Sequence, residues 1–240
     1  MRFIIMHKTD AHWEAGAIPD KDLMARVDAL IGDLQKEGRL LAGEGLRASS
    51  EGVRVTFANG KPTVTKGPFE GRNELPAGFT IVRAASLDEA VEWATRQAEI
   101  LGDGEVDITP VTEPWDIGLC PRPADVPTLR YMVLRKASAE SESGAEPPPA
   151  ARAKLSRLIE ESARAGLHLV TETMQPSRRG RRYKNSREGV SVFDGPFIES
   201  KELLGGYVIV LADSLAETDR WARQYIDAVG AHEIDVRELV

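Results

Sequence analysis

The sequence predicts an α+β fold made of two tandem β-α-β-β-α-β repeats, each with an inserted hairpin, the ferredoxin-like arrangement. Three observations predict it. Asp194-Gly195-Pro196-Phe197, followed by Glu199, Lys201, Glu202 and Gly205-Gly206-Tyr207, is echoed by Lys66-Gly67-Pro68-Phe69, then Glu70, Glu74 and Gly78-Phe79. Pro68 and Pro196, Glu74 and Glu202, and Gly78 and Gly206 each lie 128 positions apart, a register that periodicity alone could not hold across unrelated loops. Short apolar runs with charged ends also alternate with stretches of helical period. Duplication is the reading, and 240 residues suffice for two domains of roughly 110 residues, each burying about 60% of its unfolded surface.

Residues 2–8 (RFIIMHK) have the pattern of a buried strand. A polar loop over 9–19 carries His12 and Trp13. Asp20 is placed to cap a helix in which Leu23, Val27, Leu30, Ile31 and Leu34 recur at helical spacing, and Gly38 is its C-terminal stop. Residues 40–46 return as a strand. Residues 53–57 and 61–65 form a hairpin through Asn59-Gly60, because that pair tolerates positive φ at both central turn positions. A strand over 78–84 follows the loop 66–71. Ser86 and Glu89 then make a capping box for a helix whose apolar face is Leu87, Ala90, Val91, Ala94, Ala98 and Leu101. A strand over 106–111 closes the unit. Both helices fall on one sheet face, which leaves the other face uncovered.

Residues 114–127 carry Pro114, Pro121, Pro123 and Pro127, a stiff connector. The domain boundaries are therefore 1–113, a linker over 114–128, and 129–240. Past the linker the pattern recurs. Residues 130–136 match the first strand, Leu155, Leu158, Ile159 and Ser162 the first helix, Gly166 the stop and Glu172 the position of Glu44. Ser214 and Glu217 repeat the capping box, and Trp221 matches Trp93. Both tryptophans read as packing residues between helix and sheet. The segment 137–150 (ASAESESGAEPPPA) is low in complexity and reads as mobile.

The composition, 42% hydrophobic and 29% charged, is that of a soluble globular protein. A net charge of −7 argues against a general nucleic-acid binder. Cys120 is the only cysteine, so no disulfide forms within the chain and a reducing cytoplasm is expected. The apolar run at 1–8 is too short for a signal peptide, and no window has the apolar length of a membrane span. His7, His12, His168 and His232 have no metal-ligand spacing, and phosphate-loop, dinucleotide and nucleophile motifs are absent, so no metal and no cofactor are expected.

At Asp194-Gly195-Pro196-Phe197, Glu199, Lys201-Glu202 and Gly205-Gly206-Tyr207 the chain resembles the DGPF-domain proteins of the YCII-related family. The likeness covers 129–239 and, in weaker form, 1–113, where Lys66 replaces the motif Asp and Asn73-Glu74 the Lys-Glu pair. It implies a dimeric α+β barrel, here an intramolecular pseudo-dimer whose two sheets pack face to face, with homo-oligomers of pseudo-dimers as a further option. Some relatives are proposed to be enzymes using a His-Asp pair, but the aligned positions here are about Val27 and Leu155 for the His, and Gln97 and Tyr225 for the acid. Members are also often encoded with or fused to alternative sigma factors, which implies a sigma-factor or other regulatory partner.

The leading functional expectation is a protein that binds a small polar or anionic molecule, with a regulatory output. Its candidate ligand-binding residues are Glu172, Asp194, Gly195, Pro196, Phe197, Glu199, Lys201 and Glu202, with Glu44, Lys66, Pro68 and Phe69 from the first repeat. The bland alternatives stand beside these. The Asp-Gly-Pro-Phe segment suits a rigid turn in which Gly supplies an unusual φ, and Glu44 and Glu172 suit ion pairs with Arg2, Lys8, Arg130 or Lys136. His7 and Lys8, on the first strand, are ambiguous in the same way. Arg178, Arg179, Arg181, Arg182, Lys184 and Arg187 crowd the second hairpin and read as an anion or nucleic-acid patch with Tyr183 as a stacking residue or, the favoured reading, as a solvated face balanced by the acidic stretch 140–146. The runner-up is an isomerase, lyase or oxygenase using Glu172 or Asp194 for proton transfer. A third class is a protein-interaction module.

Overall fold

The computed structural model describes residues 1–72, 74–197 and 200–240. The first segment contains β1 (Arg2–Lys8), α1 (Ala11–Glu14), α2 (Lys21–Lys36), β2 (Leu40–Gly45), β3 (Val53–Ala58), β4 (Lys61–Lys66), β5 (Pro76–Ala84), α3 (Leu87–Leu101) and β6 (Glu105–Pro110). The second contains β7 (Leu129–Lys136), α4 (Ala139–Ser143), α5 (Pro149–Arg164), β8 (His168–Thr173), β9 (Arg181–Ser186), β10 (Gly189–Asp194), β11 (Leu204–Leu211), α6 (Thr218–Val229) and β12 (Glu233–Glu238).

Local chemistry sets the element ends as the residues suggest. The Asp20 carboxylate accepts from the Leu23 N–H at 2.8 Å, and Ser86 Oγ accepts from the Glu89 N–H at 3.1 Å. Asn59 and Gly60 adopt φ of 53° and 72°, the turn geometry that a two-residue hairpin needs. The stretch 139–143 is a helix rather than a mobile loop. Ser138 and Ser141 cap it reciprocally, and its Glu142 reaches out to Ser177.

The strands assemble into two six-stranded antiparallel sheets, in the orders β10-β9-β12-β1-β11-β2 and β4-β3-β6-β7-β5-β8. Two contiguous repeats, each with its own sheet, would not give these orders. β1 and β2 leave the first segment's other strands and join β9 to β12, while β7 and β8 join β3 to β6. β1 lies between β11 and β12, hydrogen-bonded along both edges, from Phe3 opposite Val210 and Glu238 to His7 opposite Gly206 and Ile234.

Alternation within each strand then builds three cores. Phe3 and Ile5 face α2 and α6, packing with Leu30, Leu34, Trp221 and Ile226. Val53, Val55, Val82 and Val133 form the matching core beneath α3 and α5 with Trp93 and Leu158. Ile4, Met6, Tyr207 and Ile209 of one sheet meet Phe79, Ile81, Met132 and Leu134 of the other, so the two sheets stack face to face. Isolated bridges, Leu46 with Val111 and Met174 with Leu239, stitch the sheets at their corners. No helix among the described residues is long and apolar enough to cross a membrane.

Candidate functional site

The Asp-Gly-Pro-Phe segment and its echo are clasps. The Phe197 N–H donates to Ser177 Oγ and the Phe69 N–H to Ser49 Oγ, both at 3.0 Å. Ser177 and Ser49 are gripped in turn by Glu142 and Glu14. A β-carbon at Gly195 or Gly67 would fall 1.8 or 1.9 Å from the Ser177 or Ser49 carbonyl oxygen. Close backbone approach, not a special φ, is therefore what these glycines supply. Both Gly-Pro bonds are cis. The phenyl rings lie under Arg182 and Arg54, each guanidinium 4.6 Å from the ring centre.

Those arginines belong to two buried charge clusters. Arg182 and Lys8 converge on Asp235 at 2.6 and 3.1 Å, and Arg54 and Lys136 converge on Asp107, both at 2.6 Å. Burial pushes both carboxyls up, but the adjacent cations outweigh it and hold Asp235 and Asp107 below the usual carboxylate range. Glu74 joins the second cluster through Arg54 and Lys136.

The other sequence candidates are dispersed. Asp194 is exposed and pairs with Arg181 at 2.8 Å, and Lys66 is exposed. Glu172 pairs with Arg2 at 2.7 Å and Glu44 with Arg130. Glu202 bonds His232, Lys201 is exposed, and Glu199 lies outside the described residues. Of the second hairpin's cations, Arg178 bonds the carbonyls of Glu142 and Ser143, Arg179 pairs with Glu238 and Lys184 with Glu233.

A cavity of about 710 Å³ lies elsewhere, between α2, β2, β11 and α6. Leu23, Met24, Val27 and Ile31 form its helical wall, and residues 16–19 and the linker residues Pro114, Ile117 and Leu119 form its rim. Among the described residues, Glu44 is the one sequence candidate that lines it. His7 and Tyr225 also line it, with His7 Nδ1 2.8 Å from Tyr225 Oη. A bulge aims this histidine: His7 pairs with Gly206, Gly205 is skipped and Lys8 faces Leu204. The imidazole rests on the Gly205-Gly206 backbone, where a β-carbon would stand 2.8 or 2.7 Å from the ring. His7 is half-buried and lines the cavity, and burial together with the Lys8 charge lowers its pKa to about 4. Burial raises the phenols of Tyr225 and Tyr207. Sequence reasoning left His7 ambiguous and met Tyr225 and Val27 only as positions aligned with the relatives' acid and His, not as candidates. A further signal was Gly205-Gly206, a space no side chain fills.

Around the mouth, Glu14, Glu44, Glu51 and Asp116 outnumber Arg47 and Arg130, for a net charge of −2. Both guanidiniums are ion-paired, Arg47 with Asp116 and Glu51 and Arg130 with Glu113 and Glu44, although Arg47 Nη2 is buried without a hydrogen-bond partner among the described residues. A second void, beside Glu14, Ser49 and Phe69, measures about 20 Å³, room for one water. Among the described residues no group of three or more His, Cys, Asp or Glu is placed to hold a metal ion.

Fold and site thus define an α+β protein of two stacked sheets with a cavity beneath one helical layer. The YCII-related domain model matches residues 1–115 and 129–237, and the chain belongs to that family. No curated protein and no solved structure matches it.

Proposed function

We propose that the protein binds one small, largely apolar molecule in the cavity between α2, β2, β11 and α6. The observation that carries this reading is the volume of about 710 Å³ over the His7–Tyr225 pair, within the range of roughly 300–1,000 Å³ typical of ligand sites. The acid-rich mouth and engaged arginines favour a neutral or cationic ligand over the small anion expected from the motif loops. A single site is favoured by asymmetry. At the counterparts of Gly43, Val208 and Tyr225 the other half has Thr171, Thr80 and Gln97, joined by hydrogen bonds of 3.0 and 2.9 Å and continued to His168.

Each half reads as ferredoxin-like when completed across the two segments, β1-α2-β2 with β11-α6-β12, in the strand order β12-β1-β11-β2. That exchange brings Val27 of one segment and Tyr225 of the other to the same cavity. Proton transfer by Glu172 or Asp194 is the weaker reading, because one is paired with Arg2, the other is exposed beside Arg181, and neither lines the cavity.

The test is a thermal-shift screen with neutral, cationic and anionic compounds of naphthalene size. A ligand at 100 times its Kd adds about 2.7 kcal/mol, several degrees at roughly 2–4 °C per kcal/mol. The hit should vanish in Val27→Trp and persist in Asp194→Ala and Glu172→Gln. The opposite pattern would move the site to the motif loops.

A further inference from the structure

The hydrogen-bonding pattern within the cavity narrows the ligand further. Tyr225 Oη is buried, and its one partner among the described residues is His7 Nδ1. A phenol has a single proton to donate, and a buried hydroxyl leaves it undonated only at a cost. The Tyr225 O–H therefore donates to Nδ1. In a neutral imidazole the remaining proton then resides on Nε2, which makes that nitrogen a donor. Nε2 meets no acceptor among the described residues. The ring cannot tilt freely, since its Cδ2–Nε2–Cε1 edge runs along the Gly205-Gly206 backbone at a spacing only glycine permits.

We propose that the site takes a neutral, largely apolar molecule whose carbonyl oxygen accepts a hydrogen bond from Nε2–H of His7, with Tyr225 as the positioning residue that fixes the imidazole tautomer. This inference rests on the cavity being the ligand site. A carbonyl is an acceptor without a charge, which suits a lone N–H donor in an apolar cleft. A carboxylate would also accept, but it would meet the negative mouth, where both nearby guanidiniums are already ion-paired with carboxylates even though Arg47 Nη2 lacks a hydrogen bond among the described residues. A hydrocarbon would leave the donor unmet. The low pKa of His7 keeps the ring neutral across the physiological range, the state in which an imidazole donates through one nitrogen alone.

Two measurements on the full chain test it. Long-range ¹H–¹⁵N correlation spectra of the free protein read the tautomer: Nε2 is expected to carry the proton and Nδ1 to be bare, and Tyr225→Phe should give a mixture. Titration with 1-acetonaphthone, 1-ethylnaphthalene and 1-naphthoate then reads the ligand class. The ketone should bind about tenfold tighter than the hydrocarbon, with the carboxylate weakest, and the ketone's advantage should disappear in His7→Ala and shrink in Tyr225→Phe. Should Tyr225→Phe fail to fold, His7→Ala, which faces the cavity, carries the comparison. A proton on Nδ1, or equal binding of ketone and hydrocarbon, overturns the carbonyl assignment and leaves an apolar site. Binding of none of the three overturns both this inference and the cavity reading.

Discussion

A methyl group at Gly206 would stand 2.7 Å from His7 Cε1 and 2.7 Å from the Glu44 carbonyl oxygen. The imidazole could swing away, but the carbonyl belongs to the paired strand β2 and cannot. Gly206→Ala is therefore expected to cost about 1–3 kcal/mol by overpacking, read as a lower urea midpoint. A loss under about 0.5 kcal/mol, the size of an ordinary surface change, would show that the strip is not a close contact. His7 itself makes stability depend on pH. Its folded pKa of about 4 lies below the ordinary 6.5, so between these values the unfolded chain binds more protons than the folded one. Stability is full above pH 6.5 and falls as the pH drops toward 4, by about 3 kcal/mol in all at 1.36 kcal/mol per unit. Lys8 is the charged neighbour acting on the ring, and Tyr225, facing it from α6, does not titrate in this window. His7→Gln should flatten the stability profile between pH 4.5 and 7. Parallel profiles for the two proteins would mean the ring is solvated.

Between β1, β9 and β12 the same chemistry acts through whole elements. Asp235 pairs with both Lys8 and Arg182 where all three strands lie side by side, and its side chain is fully buried. Removing one partner from such a cluster leaves buried charge uncompensated, so Asp235→Asn should cost about 3–5 kcal/mol. Asp194→Asn, on the edge strand β10 with its side chain 75% exposed, should change stability by less than about 0.5 kcal/mol. Equal effects would mean that the ladder charges are hydrated. The elements themselves were legible where their signals are local. Asn59-Gly60 announces the β3–β4 turn, Asp20 and Gly38 bracket α2, and Ser86 opens α3. The helix α4 was not legible, because its stretch lacks apolar residues. A reciprocal Ser138–Ser141 cap and the reach of Glu142 to Ser177, 35 residues away, hold it instead.

At the scale of the whole molecule, what could not be read from the chain is which strands pair. The 128-position offset between matching residues permits β1 to join its own segment's β5 and β6 or the corresponding β11 and β12, since both choices bury similar apolar faces. The second choice is the one adopted. It decides the site as well, because His7 and Tyr225 lie 218 residues apart and meet only through that exchange. It also makes each sheet depend on both segments, with a shared core between the sheets. Calorimetry should therefore show a single transition whose van't Hoff and calorimetric enthalpies agree. Two separated transitions would mean that the segments melt as independent domains. A protease site engineered into the exposed linker at 121–125, away from the cavity rim, extends the argument. After cleavage the two pieces should still elute together and melt in one transition, because β1 remains hydrogen-bonded between β11 and β12 and β7 between β5 and β6. Pieces that separate under native conditions would overturn the exchanged pairing itself, and with it the meeting of His7 and Tyr225.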